Sequence, residues 1–338
     1  LEDGSMVAKR LKSVFAVLLT AAILGGCVNS NKTHSNDNKE IKIGISQLIE
    51  HPGLDATRNG FIDGLKSKGF EEGKNITFDF QNAQGDIPTT QTIAQKFISQ
   101  KMDMIMAIAT PAAQAAYNTT KDMPILVTAV TDPVEAGLVK SIKEPETNVT
   151  GTSDYVSIDK QFELLKKILP EAKKVGILYN TSEKNSEIQV NNAKNAAPQF
   201  GLEIVTAGIT NVNDVPQALN SLFGKVDVLY TPTDNIVASS MPLISAQCFK
   251  NNIPIIGAEK AHVESGALAT NGIDYYKLGF QTGLMAVDII NGKDPKDIPI
   301  VTLDEMQLII NTNAAKKLNI TIPDDLNDKA EKVAGGVN

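Results

Sequence analysis

Met104-Ile105-Met106-Ala107-Ile108-Ala109-Thr110-Pro111-Ala112-Ala113-Gln114 changes character at a single point. Six apolar residues without polar alternation read as a strand buried on both faces, as in a parallel sheet covered by helices. Thr110-Pro111 then opens a helix, with Thr110 as N-cap and Pro111 at the first helical position. A strand that hands over directly to a helix is a βα unit, and outward from this one the unit repeats. Upstream lie strands over 41–48 and 76–82 with helices over 53–68 and 88–100, and downstream lie a helix over 111–119 and a strand over 125–130. After 148–154 a second series begins: a helix over 158–169, strands over 175–179, 203–209, 226–230, 253–257 and 267–270, and helices over 185–199, 213–223 and 239–251. Two βα series of similar size predict an α/β fold with two doubly wound, Rossmann-like lobes.

The C-terminal part departs from this rhythm. A helix over 275–291 ends at Gly292, and short apolar runs over 298–301 and 306–311 follow, then a helix over 313–318 and a helical tail from Pro323. So few strands suit a segment that crosses back between lobes better than a third domain. With 148–154 and the stretch after Gly272 this makes three crossings, the hinge of a type I periplasmic binding protein. The expected division is 41–152 with 273–301 as the N-terminal lobe and 153–272 with 302–335 as the C-terminal lobe.

Leu24-Gly25-Gly26-Cys27 places the chain outside the cytoplasm. Lys9, Arg10 and Lys12 form a basic n-region, and 14–24 is an apolar run too short to span a bilayer. A small-residue run ending in Cys behind such a segment is how bacterial lipoproteins begin, so residues up to 26 read as a signal peptide behind a five-residue cloning scar. Cys27 then becomes the lipid-bearing residue and the membrane anchor. Residues 28–40, rich in Asn, Ser and Lys, bury too little apolar surface to fold and read as a tether.

Composition narrows the partners. The formal net charge is −7, which disfavours nucleic acid and anionic membrane surfaces. Three His and two Cys without an adjacent grouping give a metal site little material, and no cofactor is expected. No Gly-x-Ser-x-Gly elbow, Walker A loop, His-Glu-x-x-His helix or nucleotide-binding glycine fingerprint occurs, so no enzyme is expected and no catalytic residue is assigned. A repressor of this fold carries a DNA-binding head where this chain carries its signal peptide.

Several runs carry a more specific likeness. Glu50-His51-Pro52-Gly53-Leu54-Asp55, Gln81-Asn82-Ala83-Gln84-Gly85-Asp86 and the Ala109–Gln114 run are three of them. Val130-Thr131-Asp132-Pro133-Val134, Asn148-Val149-Thr150-Gly151, the Tyr179–Ser186 run, Asp234-Asn235 and Gly272-Ile273-Asp274-Tyr275-Tyr276 are others. Together they resemble the ABC-transporter substrate-binding lipoproteins associated with tryptophan and tyrosine uptake, over about 41–330. The resemblance implies a monomeric receptor that closes two lobes on a small ligand and delivers it to a permease and an ATPase. It implies an aromatic amino acid as that ligand, and the expected solute is an aromatic or otherwise hydrophobic amino acid. Another small organic solute (nucleoside, sugar or peptide) and a sensory role beside a membrane kinase are the alternatives.

Candidate ligand contacts lie beyond the carboxyl ends of the strands, where helix N-termini also point. Thr110 and the N–H groups of Ala112 and Ala113 could hold a carboxylate without a basic side chain. The chain has only two Arg, Arg10 and Arg58, which nearly excludes an Arg clamp. Arg58 either reaches the cleft mouth, caps a buried carboxylate or lies along the surface. Asn185 and Ser186 open a matching helix in the second lobe. Asp154, Asp234 and Asp274 are the candidate acceptors for a ligand ammonium, Asp234 alternatively capping its helix with Asn235 and Asp274 alternatively bracing the hinge. Gln47 and His51 follow the first strand at the rim, and Thr131 and Asp132 fall at the same edge. Without Trp, an aromatic wall must come from residues such as Tyr155, Tyr179 and Tyr275.

Overall fold

The buried stripe Gly53, Leu54, Thr57, Gly60, Phe61, Gly64 and Leu65 follows helical spacing along α1 (Pro52–Lys66) and decides how the first lobe is assembled. The computed structural model describes residues 40–303 and 305–336. Cys27, the signal peptide and the tether lie outside the described residues.

In the first lobe β1 (Ile41–Gln47), α1, β2 (Ile76–Asn82), α2 (Ile87–Ser99), β3 (Met104–Ile108), α3 (Thr110–Thr119), β4 (Ile125–Val130) and β5 (Val149–Ser153) follow one another. The second runs through α4 (Ile158–Ile168), β6 (Lys174–Asn180), α5 (Lys184–Ala196), β7 (Glu203–Ile209), α6 (Val215–Leu222), β8 (Val228–Thr231), α7 (Asn235–Ser239) and α8 (Met241–Lys250). It ends with β9 (Ile255–Gly257), α9 (Lys260–Glu264) and β10 (Ala269–Gly272). The coda holds α10 (Tyr275–Ile290), β11 (Val301–Thr302), β12 (Gln307–Asn311), α11 (Thr312–Lys317), α12 (Asp324–Asn327) and β13 (Glu331–Val333).

The first sheet has the order β11-β5-β4-β3-β1-β2 and is parallel throughout. The second, β13-β12-β10-β9-β8-β6-β7, is parallel except where β12 runs against β10. Strand order therefore reverses between β1 and β3 in one lobe and between β6 and β8 in the other, and these switch points are where open α/β sheets bind ligands. Each sheet separates two apolar clusters. Phe61, Met106 and Leu278 lie on one face of the first and Phe97, Ile105 and Ala113 on the other; Phe162 and Tyr230 oppose Leu219 and Ile244 in the second. Each large aliphatic side chain so buried contributes roughly 1.5–3 kcal/mol.

α1 and α10 are joined by a reciprocal glycine contact. A Cβ at Gly60 would lie 2.1 Å from the Tyr276 carbonyl oxygen and one at Gly64 2.4 Å from that of Phe280; Gly279 and Gly283 meet Thr57 and Phe61 in the same way, at 1.9 and 2.4 Å. Two Gly-x-x-x-Gly pairs thus press the backbones together. The contact fixes the N-terminus of α10, with Tyr275, against that of α1, with His51 and Gly53.

The tail differs from expectation. Pro323 opens only the single turn α12, and the chain then adds β13 beside β12. Asp324, Asp325 and Asp328 crowd so short a segment with polar residues that it lacks an apolar stripe for a longer helix. The stretch from Asn148 is also not all crossing: Val149–Ser153 is a fully buried strand, and the chain leaves the first sheet at Asp154.

Candidate functional site

Segments following β1, β8 and β9, the end of β4 and the two crossings beside them enclose a narrow cavity between the lobes. His51, Leu54 and Ala129 line it from the first lobe, Asp154 and Tyr275 from the crossings, and Thr233 to Asn235, Ala238 and Glu259 from the second.

In the first lobe His51 precedes α1 in an extended conformation, and no side chain caps that helix. Its Nδ1 is buried without a hydrogen-bond partner, and burial holds its pKa below the ordinary histidine value against the opposing charge of Glu259. Gln47 is buried too, but it braces the loop: Nε2 donates to Ile49 O and Asp55 Oδ1, both at 2.9 Å, while Oε1 accepts from Arg58 Nη1 at 2.7 Å. Arg58 pairs with Asp55 at 3.2 Å and stacks 4.2 Å from the Phe80 ring centroid. Its charge is thereby spent within the lobe.

Thr110 is the first residue of α3 rather than its cap. Ala109 holds the cap position at φ 80°, and the Ala113 N–H already donates to Ala109 O at 3.0 Å. The Ala112 and Ala113 methyls pack into the lobe core, so Ala113 offers a ligand neither atom. Thr110 Oγ1 remains buried and unpartnered. Ala129, at φ 54° on the neighbouring strand, sits where the β4–β5 register shifts. Two non-glycine residues in sparsely populated conformations at one cleft edge are the kind of strain that collects at binding sites.

In the second lobe two buried carboxylates hold the loops. Asp234 caps α7 through Val237 N at 2.9 Å and also accepts from Asn180 N at 2.5 Å and Ser186 Oγ at 2.6 Å. Glu183 accepts from Asn180 Nδ2 at 3.0 Å, from Asn185 Nδ2 at 3.3 Å and from Asn235 Nδ2. Burial raises the Glu183 pKa to about 7, with the Asp234 charge adding to it, and burial raises Asp234 as well. Ser186 and Asp234 are consumed by each other. Asn185 keeps Oδ1 without a partner, and α5, which carries it, touches α3 across the cleft.

The crossings complete the site. Tyr275 Oη donates to Asp154 Oδ2 at 2.6 Å, and Asp154 Oδ1 is buried with no partner. Burial pushes the Asp154 carboxyl up to about 6, although hydrogen bonds from Tyr275 and Thr131 pull it back. Thr131 and Thr233 share a 3.1 Å hydroxyl contact directly between the lobes. Glu259 follows β9; its Oε1 lies 2.9 Å from His262 Nε2, and His262 Nδ1 lies 3.0 Å from Thr231 Oγ1. Burial pushes Glu259 up, but the two imidazoles outweigh it and hold the group below its ordinary value.

Of the sequence candidates, His51, Asp154, Asp234, Asn235 and Tyr275 line the cavity, and Thr131 and Asn185 bond to Thr233 beside it. Tyr155 is 46% exposed beside Ile158 and Asn192, outside the cleft, and Tyr179 packs on the outer apolar cluster. Neither forms an aromatic wall. Alternation along the strand turns Tyr179 away, and the first crossing turns Tyr155 outward. Asp132 caps its own turn through Val134 N and Glu135 N at 3.0 and 2.9 Å. Asp274 caps α10 through Lys277 N at 3.1 Å and faces a wider neighbouring cavity that shares Glu259 and Tyr275. Sequence reasoning missed Glu183, Thr233 and Glu259. The last two stand directly after strands β8 and β9, so the carboxyl-edge rule would have found them.

Two doubly wound lobes, three crossings and orphaned polar atoms turned into the cleft define a solute receptor of the type I periplasmic binding fold. The chain belongs to the ABC transporter substrate binding protein family, whose model matches residues 42–334. It is 53% identical over 319 residues to a tyrosine-binding protein of Clostridioides difficile, covering 92% of each chain. A substrate binding protein with adhesive properties from Clostridium difficile, solved ligand-free and open, is 55% identical with a TM-score of 0.67. A Streptococcus pneumonia ABC domain in complex with L-Trp is 36% identical with a TM-score of 0.84. Both structures cover 87% of this chain, which covers 99% of each. The less identical chain superposes better. The chain is an extracytoplasmic substrate-binding protein, and among the described residues no helix is long and apolar enough to cross a membrane.

Proposed function

We propose that this protein captures a free aromatic amino acid and presents it to an ABC permease and ATPase, acting by binding alone and as a monomer. The observation that carries the reading is Asp154 Oδ1, a buried carboxylate oxygen without a partner at the hinge end of the cavity. An ammonium supplies the hydrogen bonds and the charge it lacks. The unpartnered Thr110 hydroxyl and the Ala112 amide suit the α-carboxylate. The tyrosine-binding relative and the L-Trp complex support an aromatic side chain.

Residues 41–152 with 273–301 and residues 153–272 with 302–335 form the two moving bodies, the three divisions between them falling within a residue of a strand end. A ligand that touches both bodies only when they meet shifts the population toward the closed form, which the permease recognises. A lipid on Cys27 keeps the receptor at the membrane. Titration calorimetry against the twenty amino acids tests the proposal. Tyrosine or tryptophan binds, and binding of only a sugar, nucleoside or peptide contradicts it.

A further inference from the structure

With the ammonium on Asp154, two buried polar atoms at the cavity still lack partners, His51 Nδ1 from one lobe and Glu259 Oε2 from the other. They lie at one spot. An ideal Cβ on Gly53 would be 2.6 Å from Glu259 Oε2 and 3.2 Å from His51 Cε1, so only glycine lets this carboxylate approach the start of α1. Glu259 is held from behind by His262, itself anchored on Thr231. An ionised carboxylate only accepts hydrogen bonds, so its remaining oxygen calls for a donor; Leu54, Ala129 and Ala238 are the apolar members of a lining shared with Asp154, Thr233, Asp234, Asn235 and Tyr275.

We infer that Glu259 and His51 are the specificity-determining pair of this site, selecting an aromatic ring that carries a hydrogen-bond donor. A phenol O–H or an indole N–H donates to Glu259 Oε2, with His51 Nδ1 beside it as a second acceptor. Phenylalanine leaves both buried and unpaired, and a site built around a hydroxyl rejects such an analogue far more strongly than an apolar pocket rejects a size change. This inference rests on the aromatic-amino-acid reading above.

The test is calorimetry of the protein and of Glu259→Gln with tyrosine, tryptophan and phenylalanine. The parent is expected to prefer tyrosine to phenylalanine by about 100-fold or more. Glu259→Gln weakens tyrosine by about tenfold or more and leaves phenylalanine within about threefold. Should that variant fail to fold, Thr231→Val, which frees His262, lowers the same preference, and the parent ratio stands as a test needing no variant. Equal affinity for tyrosine and phenylalanine in the parent overturns the inference while the aromatic reading stands. Equal losses for both in Glu259→Gln also overturn it, placing the ammonium on Glu259. Binding of none of the three overturns both readings.

Discussion

The Tyr275 hydroxyl donates a 2.6 Å hydrogen bond to Asp154 Oδ2 and leaves Oδ1 as the oxygen available to the cavity. Asp154 begins the first crossing and Tyr275 follows the second, so the group assigned to the ligand ammonium is braced within the hinge itself. Asp154→Asn removes the charge at nearly constant shape. It is expected to weaken amino-acid binding by about 100-fold, within the 2–5 kcal/mol range for truncating a buried charge pair, with little change in unfolding midpoint. Calorimetry beside thermal unfolding separates the two, and undiminished affinity would remove Asp154 from the site.

Proton competition gives a second expectation. Burial pushes the Asp154 carboxyl up to about 6, with Glu259, Tyr275 and Thr131 facing it. The raised value means that the proton is held above the ordinary carboxylate range and must leave before an ammonium can pair. Affinity is therefore about tenfold lower at pH 5 than at pH 7, and binding near pH 6 releases protons. Titration in buffers of different ionisation enthalpy measures both. Affinity that rises as pH falls would contradict the assignment.

The lobe-to-lobe hydroxyl contact of Thr131 and Thr233 exists only while the lobes meet. Thr233→Val deletes it without touching the Asp154 side. A net hydrogen bond of about 1 kcal/mol corresponds to about fivefold weaker ligand binding, with small-angle scattering showing a more open ligand-free ensemble. Unaltered scattering and affinity would mean that the contact adds nothing to closure.

Gly279→Ala tests the helix pair behind the site. Its Cβ would stand 1.9 Å from the Thr57 carbonyl oxygen, a backbone atom that cannot yield without separating α1 from α10. Overpacking of this kind costs about 1–3 kcal/mol, so the unfolding midpoint falls by several degrees. A midpoint equal to that of the parent would show that the two helices are not locked as described.

The fold was legible because its strongest signal is local. The unbroken run 104–109 ahead of Thr110-Pro111 could be little else than a buried strand feeding a helix, and the same pattern recurred through both lobes. The end of the chain was not, because β13 is three residues long and gains its hydrogen bonds from β12, a partner that local pattern does not reveal. Within the site, position along a strand led to His51, Asp154 and Asn235, which line the cavity, since the carboxyl edge follows from topology. Side-chain direction did not follow. Tyr155 and Tyr179 share that edge yet point away, and Ser186 with Asp234 satisfies itself 48 residues apart in sequence, a pairing fixed only by tertiary packing.

A crystal structure grown with L-tyrosine tests the central claim most directly. The account predicts the ligand between the lobes with its amino nitrogen within hydrogen-bond distance of Asp154 Oδ1. An amino group held elsewhere, with Asp154 Oδ1 facing no ligand atom, would contradict it.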